Sequence, residues 1–140
     1  MKRLALLALA TALAACAGGE EPPDAEELAR AWSQALNAGD NQAAGALFAV
    51  GARIEQTGLV IVVRTPEDAA TWTATLPCSG RIVAVEGEDE EVTATFVLAD
   101  RQTSACDAPG GRVSALFRAR DGKIVLFRQL PAAAPPTETV

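Results

Sequence analysis

Residues 28–56, LARAWSQALNAGDNQAAGALFAVGARIEQ, constrain the fold more than any other stretch. Leu28, Ala31, Trp32, Ala35 and Leu36 fall at i, i+3, i+4, i+7 and i+8, which gives a helix one apolar face. Asp24 is placed to cap its start, with Glu27 three residues on completing a capping-box pattern. Glu26 and Glu27 also suit the positive end of the helix. Gly39 stands where a left-handed C-cap is needed. Asp40 can cap a second helix at once, a short one running to about Ala49 and broken by Gly51. Ala52–Gln56 then reads as a short strand. Two helices joined by so tight a turn must pack antiparallel or at a steep angle.

Downstream, the pattern turns to sheet. Leu59–Val63 is wholly apolar and largely β-branched, which predicts a strand covered on both faces. Thr65-Pro66-Glu67-Asp68 is a helix start, and Pro77 stops that helix after about Leu76. Arg81–Glu86 and Val92–Leu98 read as strands around an acidic turn, followed by a long polar loop, residues 100–111. Arg112–Arg120 alternates, with Val113, Ala115, Phe117 and Ala119 on one face. Asp121-Gly122 is a type I′ hairpin signal, and Lys123–Leu130 is the return strand. The expected fold class is α+β, in the order α-α-β-β-α-β-β-β-β, as one domain over residues 24–130. Residues 131–140, PAAAPPTETV, have too little apolar bulk to pack and are expected to be disordered.

The N-terminus reads as an export signal. Lys2 and Arg3 precede an uncharged apolar run, residues 4–15, shorter than the ~20 residues a spanning helix needs. The run ends in Leu13-Ala14-Ala15-Cys16, which resembles a bacterial lipobox. That resemblance implies cleavage after residue 15, lipidation of Cys16, and an acidic spacer over residues 16–23. It further implies a membrane-anchored, extracytoplasmic protein. With Ala17 and not Asp after the cysteine, the outer membrane is favoured where one exists. Assigning Cys16 to lipid leaves Cys78 and Cys106, an even pair in an oxidising compartment. The hairpin through Gly87–Glu90 returns the chain beside Cys78, so a Cys78–Cys106 disulfide is expected, with two buried thiols as the alternative.

Charge and composition exclude several functions. The net charge is −6, and falls to −8 once Lys2 and Arg3 are removed. Nucleic acid, which needs a basic face, is not an expected partner. There is no His, so the commonest general base and metal ligand are both missing, and no metal or cofactor is expected.

The helix pair and the late hairpin resemble the NTF2-like superfamily, which includes ketosteroid isomerases and SnoaL-type polyketide cyclases. The resemblance spans Trp32–Gln56 and Val113–Leu130. It implies a curved, mainly antiparallel sheet wrapped with three helices into a cone. In the isomerases, a Tyr on the first helix and a protonated Asp on a late strand form the oxyanion hole, and an Asp ending the first strand is the base. Here those positions carry Trp32, Ala115 and Gln56. Gln cannot take a proton and Ala offers nothing, so isomerase chemistry is not expected. Glu55, beside Gln56, should point to the opposite face.

The expected pocket border is Trp32, Ile54, Gln56, Trp72, Val113, Ala115 and Phe117. The preferred function is a non-catalytic, lipid-anchored module that binds a small apolar ligand or a protein partner, with pairing through the sheet face as a further expectation. The alternative is a SnoaL-like enzyme using other polar groups, such as Gln56, Thr71, Thr73 and Ser114.

Overall fold

In the computed structural model, residues 21–131 are described. The expected signal peptide, Cys16 and nearly all of the C-terminal tail lie outside them. The elements are α1 (Ala25–Asn37), α2 (Asn41–Gly45), β1 (Phe48–Gln56), β2 (Leu59–Val62), α3 (Pro66–Thr75), β3 (Cys78–Glu88), β4 (Glu91–Asp100), β5 (Arg112–Arg120) and β6 (Lys123–Gln129). Three helices pack on one face of a six-stranded sheet of order β2-β1-β6-β5-β4-β3. Among the described residues only the β1–β6 pair is parallel. No helix among the described residues is long and apolar enough to cross a membrane.

Local signals place the helices. Asp24 accepts from the Glu27 N–H at 2.9 Å while Glu27 accepts from the Asp24 N–H at 3.3 Å, the reciprocal capping box. Gly39 adopts φ +72°, and Asp40 N–H returns to Ala35 C=O at 2.9 Å, closing α1. Asp40 then caps α2 through the Ala43 N–H. At the start of α3, the Asp68 carboxylate accepts from the Arg64 and Thr65 N–H groups.

Two expectations are corrected. The second helix ends at Gly45, not near Ala49, and β1 begins at Phe48. A Cβ on Gly45 would lie 2.6 Å from the Ala70 nitrogen, so α2 crosses α3 at backbone contact there. Gly51 is not a helix breaker. It lies inside β1 at φ +89°, in a bulge where Gly51 N–H and Ala52 C=O both bond to Val63. The strand β2 is not covered on both faces either. It is the sheet edge, and Leu59, Val60 and Val62 are exposed. β-branching drew the chain into a strand, but an edge strand is buried only as far as its neighbours reach.

Bulges also interrupt the β3–β4 and β5–β6 registers. Each adds local twist, and together they bend the sheet around the helices. Enclosed between them is an aromatic core. Trp32 stacks on Trp72 at 5.8 Å, and Phe127 contacts Trp32, Trp72 and Phe117 at centroid distances of 4.9–5.4 Å.

Candidate functional site

The cone is filled at its narrow end and hollow at its wide end. Ile54, Trp72 and Phe117, expected at the pocket border, are instead fully buried beneath it. They are large side chains on inner faces: Trp72 and Phe117 belong to the aromatic cluster itself, and Ile54 is buried in the same core. Above lies a cavity of about 340 Å³. Trp32, Gln56, Val113 and Ala115 line it; Ser114 also borders it, but its hydroxyl pairs with Thr95 Oγ1 at 2.9 Å on the outer face of the sheet. Phe96, Phe127, Leu36 and Leu76 complete the apolar wall. The mouth lies between Pro77 and the loop residues Asp107 and Ala108, all exposed.

The polar groups are few. Trp72 Nε1 donates to Gln56 Oε1 at 3.2 Å, which turns the Gln56 amide oxygen away and leaves its NH₂ as the free end. Trp32 Nε1 has no hydrogen-bond partner among the described residues and no accessible surface. It is sealed among the rings of the core, so Trp32 offers carbon, not a donor, to the cavity. Ala115 adds no polar atom. None of these three positions therefore supplies an acid or a base, and the Gln56 NH₂ is the one donor among them. Thr71 is exposed on α3, while Thr73 is fully buried and donates to Ala69 C=O at 2.8 Å, so neither reaches the cavity. Glu55 does point outward, where Arg128 and then Arg53 hold its carboxyl below the usual glutamate range.

Cys78 and Cys106 are joined, with Cα atoms 4.5 Å apart. The disulfide ties the loop over residues 101–111 to the start of β3 and so builds the rim. Asp107 Oδ1 lies 3.3 Å from Cys78 Sγ. A disulfide sulfur carries no proton, so this is a close O···S contact, not a hydrogen bond. Cys78, Cys106 and Asp107 also lie within 4.8 Å of one another, but joined sulfurs are not thiolates, and a cation there would find one carboxylate. Behind the rim, the buried Arg101 donates to Thr73 C=O at 2.7 Å, Leu76 C=O at 3.0 Å and Asn41 Oδ1 at 2.6 Å. At the other side of the cavity, Asn37 and Ser33 clamp α1 to Gly80, at 2.9–3.0 Å.

Sequence reasoning missed Phe96, Phe127 and Arg101. Phe96 could have been found from its alternation with Ala94. Phe127 could not, because a bulge decides its facing. Arg101 read as one more loop charge.

The sequence matches no protein-family model and no curated protein. Solved structures resemble it. An NTF2-like protein of unknown function from Cytophaga hutchinsonii is 12% identical, with 80% of this chain and 92% of that one covered at a TM-score of 0.64. A "putative polyketide cyclase" from Sinorhizobium meliloti is 12% identical, covering 74% and 93% at 0.60. A "putative ketosteroid isomerase" from Kribbella flavida is 20% identical, covering 78% and 79% at 0.58. At these identities the likeness is one of fold, and it agrees with the three helices and bent sheet described above: the chain has the NTF2-like fold.

Proposed function

We propose that this chain is a lipid-anchored, extracytoplasmic binding module that holds one small apolar molecule in its cone without transforming it. The observation that carries this reading is a hollow with apolar walls in which Trp32, Gln56 and Ala115 supply no group that can take a proton, and in which the Gln56 NH₂ is the one donor those three positions offer. At about 340 Å³ the cavity is at the small end of the range for ligand sites. Anchoring rests on the Leu13-Ala14-Ala15-Cys16 series, and Cys16→Ser should release the protein from membranes.

The test of ligand binding is indole fluorescence. Trp32 lines the cavity, so titration with the neutral probe N-phenyl-1-naphthylamine and with a panel of sterols should change emission saturably. A bound molecule should also raise the melting temperature by mass action. No response to any member of the panel would overturn the reading.

One observation favours an enzyme instead: Asp107 is a carboxylate in the lining. A SnoaL-like reaction would then depend on it, and Asp107→Asn would abolish turnover while keeping binding. As to assembly, the outer face of β4 and β5 carries half-buried Thr93, Thr95, Val97 and Leu116 with no helix over it. A second copy or a protein partner would dock there, and sedentation-independent mass by light scattering reads the homodimer directly.

A further inference from the structure

The spacer and the cavity mouth sit at opposite ends of the domain. Pro22 and Pro23 pack against the Asp121-Gly122 turn, where a Cβ on Gly122 would lie 3.1 Å from Pro22 and 3.2 Å from Pro23. Ala25 N–H bonds to Asp89 C=O at 2.9 Å, which ties the start of α1 to the β3–β4 turn. The chain therefore enters at the end of the sheet where both hairpins turn. The mouth, between Pro77 and Asp107-Ala108, lies where β3 begins and β4 ends.

Three elements give a separation of about 18–27 Å. From Asp24 to Leu36, α1 advances about 18 Å at 1.5 Å per residue. From Ala119 to Val113, β5 covers about 20 Å, and from Glu90 to Leu98, β4 covers about 27 Å, at roughly 3.4 Å per residue. The spacer, fully extended, only matches the shorter of these lengths. Cys16 to Pro22 is six steps, at most about 20 Å when fully extended. Turning the domain over would require those residues to run its whole length with nothing to spare for the rim.

We propose that the anchored domain holds its cavity mouth away from the bilayer, so that its ligand is a small, uncharged apolar molecule taken from the aqueous compartment and not a lipid drawn from the membrane. This rests on the anchored binding module proposed above. The lining agrees with it: the wall is apolar, no lining residue is cationic, and Asp107 at the rim disfavours anions. At the other end the exposed acids Asp24, Glu27, Glu88, Asp89, Glu90 and Asp121 outnumber the exposed cations Arg120 and Lys123, so that end disfavours close docking on anionic headgroups.

The experiment uses the full lipidated chain in vesicles of phosphatidylethanolamine and phosphatidylglycerol containing an acceptor-labelled lipid. A donor dye is placed on Glu88→Cys, at the spacer end, or on Arg112→Cys, beside the mouth; neither residue lines the cavity. Energy transfer at Glu88→Cys should exceed that at Arg112→Cys at least twofold. Equal transfer, meaning a domain lying flat, or stronger transfer at Arg112→Cys, overturns the inference. Flotation of both proteins, with Cys16→Ser as control, separates the two failures. A chain that does not float with the vesicles overturns the anchoring itself and the orientation with it. A chain that floats but transfers the wrong way overturns the orientation alone.

Discussion

Trp72 Nε1 donates to Gln56 Oε1 at 3.2 Å, and this one bond sets the polarity of the cavity floor. With its oxygen engaged, Gln56 shows the cavity a donor where an isomerase would show a base. A β,γ-unsaturated ketosteroid should therefore conjugate at the uncatalysed rate, followed by ultraviolet absorbance. Gln56→Asp alone should not change that, because Trp32 and Ala115 still give no oxyanion donor. Measurable turnover by the wild-type protein, lost in Gln56→Ala, would refute this.

The disulfide closes a loop across a sequence separation of 28 residues. On the chain-entropy model such a closure stabilises by about 3–4 kcal/mol. The double variant Cys78→Ser/Cys106→Ser should unfold at least 10 °C earlier, at roughly 4–8 °C per kcal/mol for a domain near this size. Exported wild-type protein, once denatured, should show no reactive thiol at either position. Two titrating thiols would contradict the pairing.

Arg101 is a buried cation with no carboxylate partner among the described residues. Burial lowers its pKa, yet it stays charged, held by the carbonyls that end α3. Thr73 C=O otherwise accepts only the Leu76 N–H at 3.2 Å, so Arg101 acts as a C-terminal cap delivered from a distant loop. Arg101→Met should cost about 2–3 kcal/mol, read by urea denaturation, since it strands buried acceptors. Arg101→Lys should recover only part of this, because one ammonium cannot span the carbonyls and Asn41 together. A loss below about 0.5 kcal/mol would show the clamp to be incidental.

Acid should weaken the fold through two identified carboxylates. Arg128 chiefly, with Arg53, lowers the Glu55 pKa; the Arg64 and then Thr65 N–H groups lower that of Asp68. A depressed carboxylate stabilises fully above its unfolded pKa, and that contribution disappears as pH falls through its native value. The loss should therefore fall below about pH 4.5 and continue under the ordinary carboxylate range. Glu55→Gln and Asp68→Asn should each flatten the acid limb of stability against pH, measured by urea midpoints. Both groups are half-buried and reach solvent, so added salt should reduce the Glu55 effect. Variants with the wild-type acid slope would remove the assignment.

Much of the fold was written locally. Asp24 with Glu27, Gly39, Asp40 and Pro66 place the helix ends through side-chain and backbone geometry within a few residues. Asp121 and Gly122 both adopt positive φ, as the hairpin signal required, and alternation put Ala115 and Phe117 on the inner face. The pairing of Cys78 with Cys106 was likewise within reach, because a single hairpin brings them together. What sequence could not decide was burial and register over longer distances. Leu59–Val63 reads as an interior strand, but the sheet ends there and leaves Leu59, Val60 and Val62 exposed. The β5–β6 turn pairs Arg120 with Lys123, and continuing that register would set Leu126 opposite Phe117. A bulge past Ala119 sets Phe127 there instead and turns its ring into the cavity. One extra residue reverses which side chains face inward, because strand facing alternates with a period of two. The choice belongs to the packed core: Phe127 meets Trp32, Trp72 and Phe117 inside, and only their joint fit makes the bulge the lower-energy register.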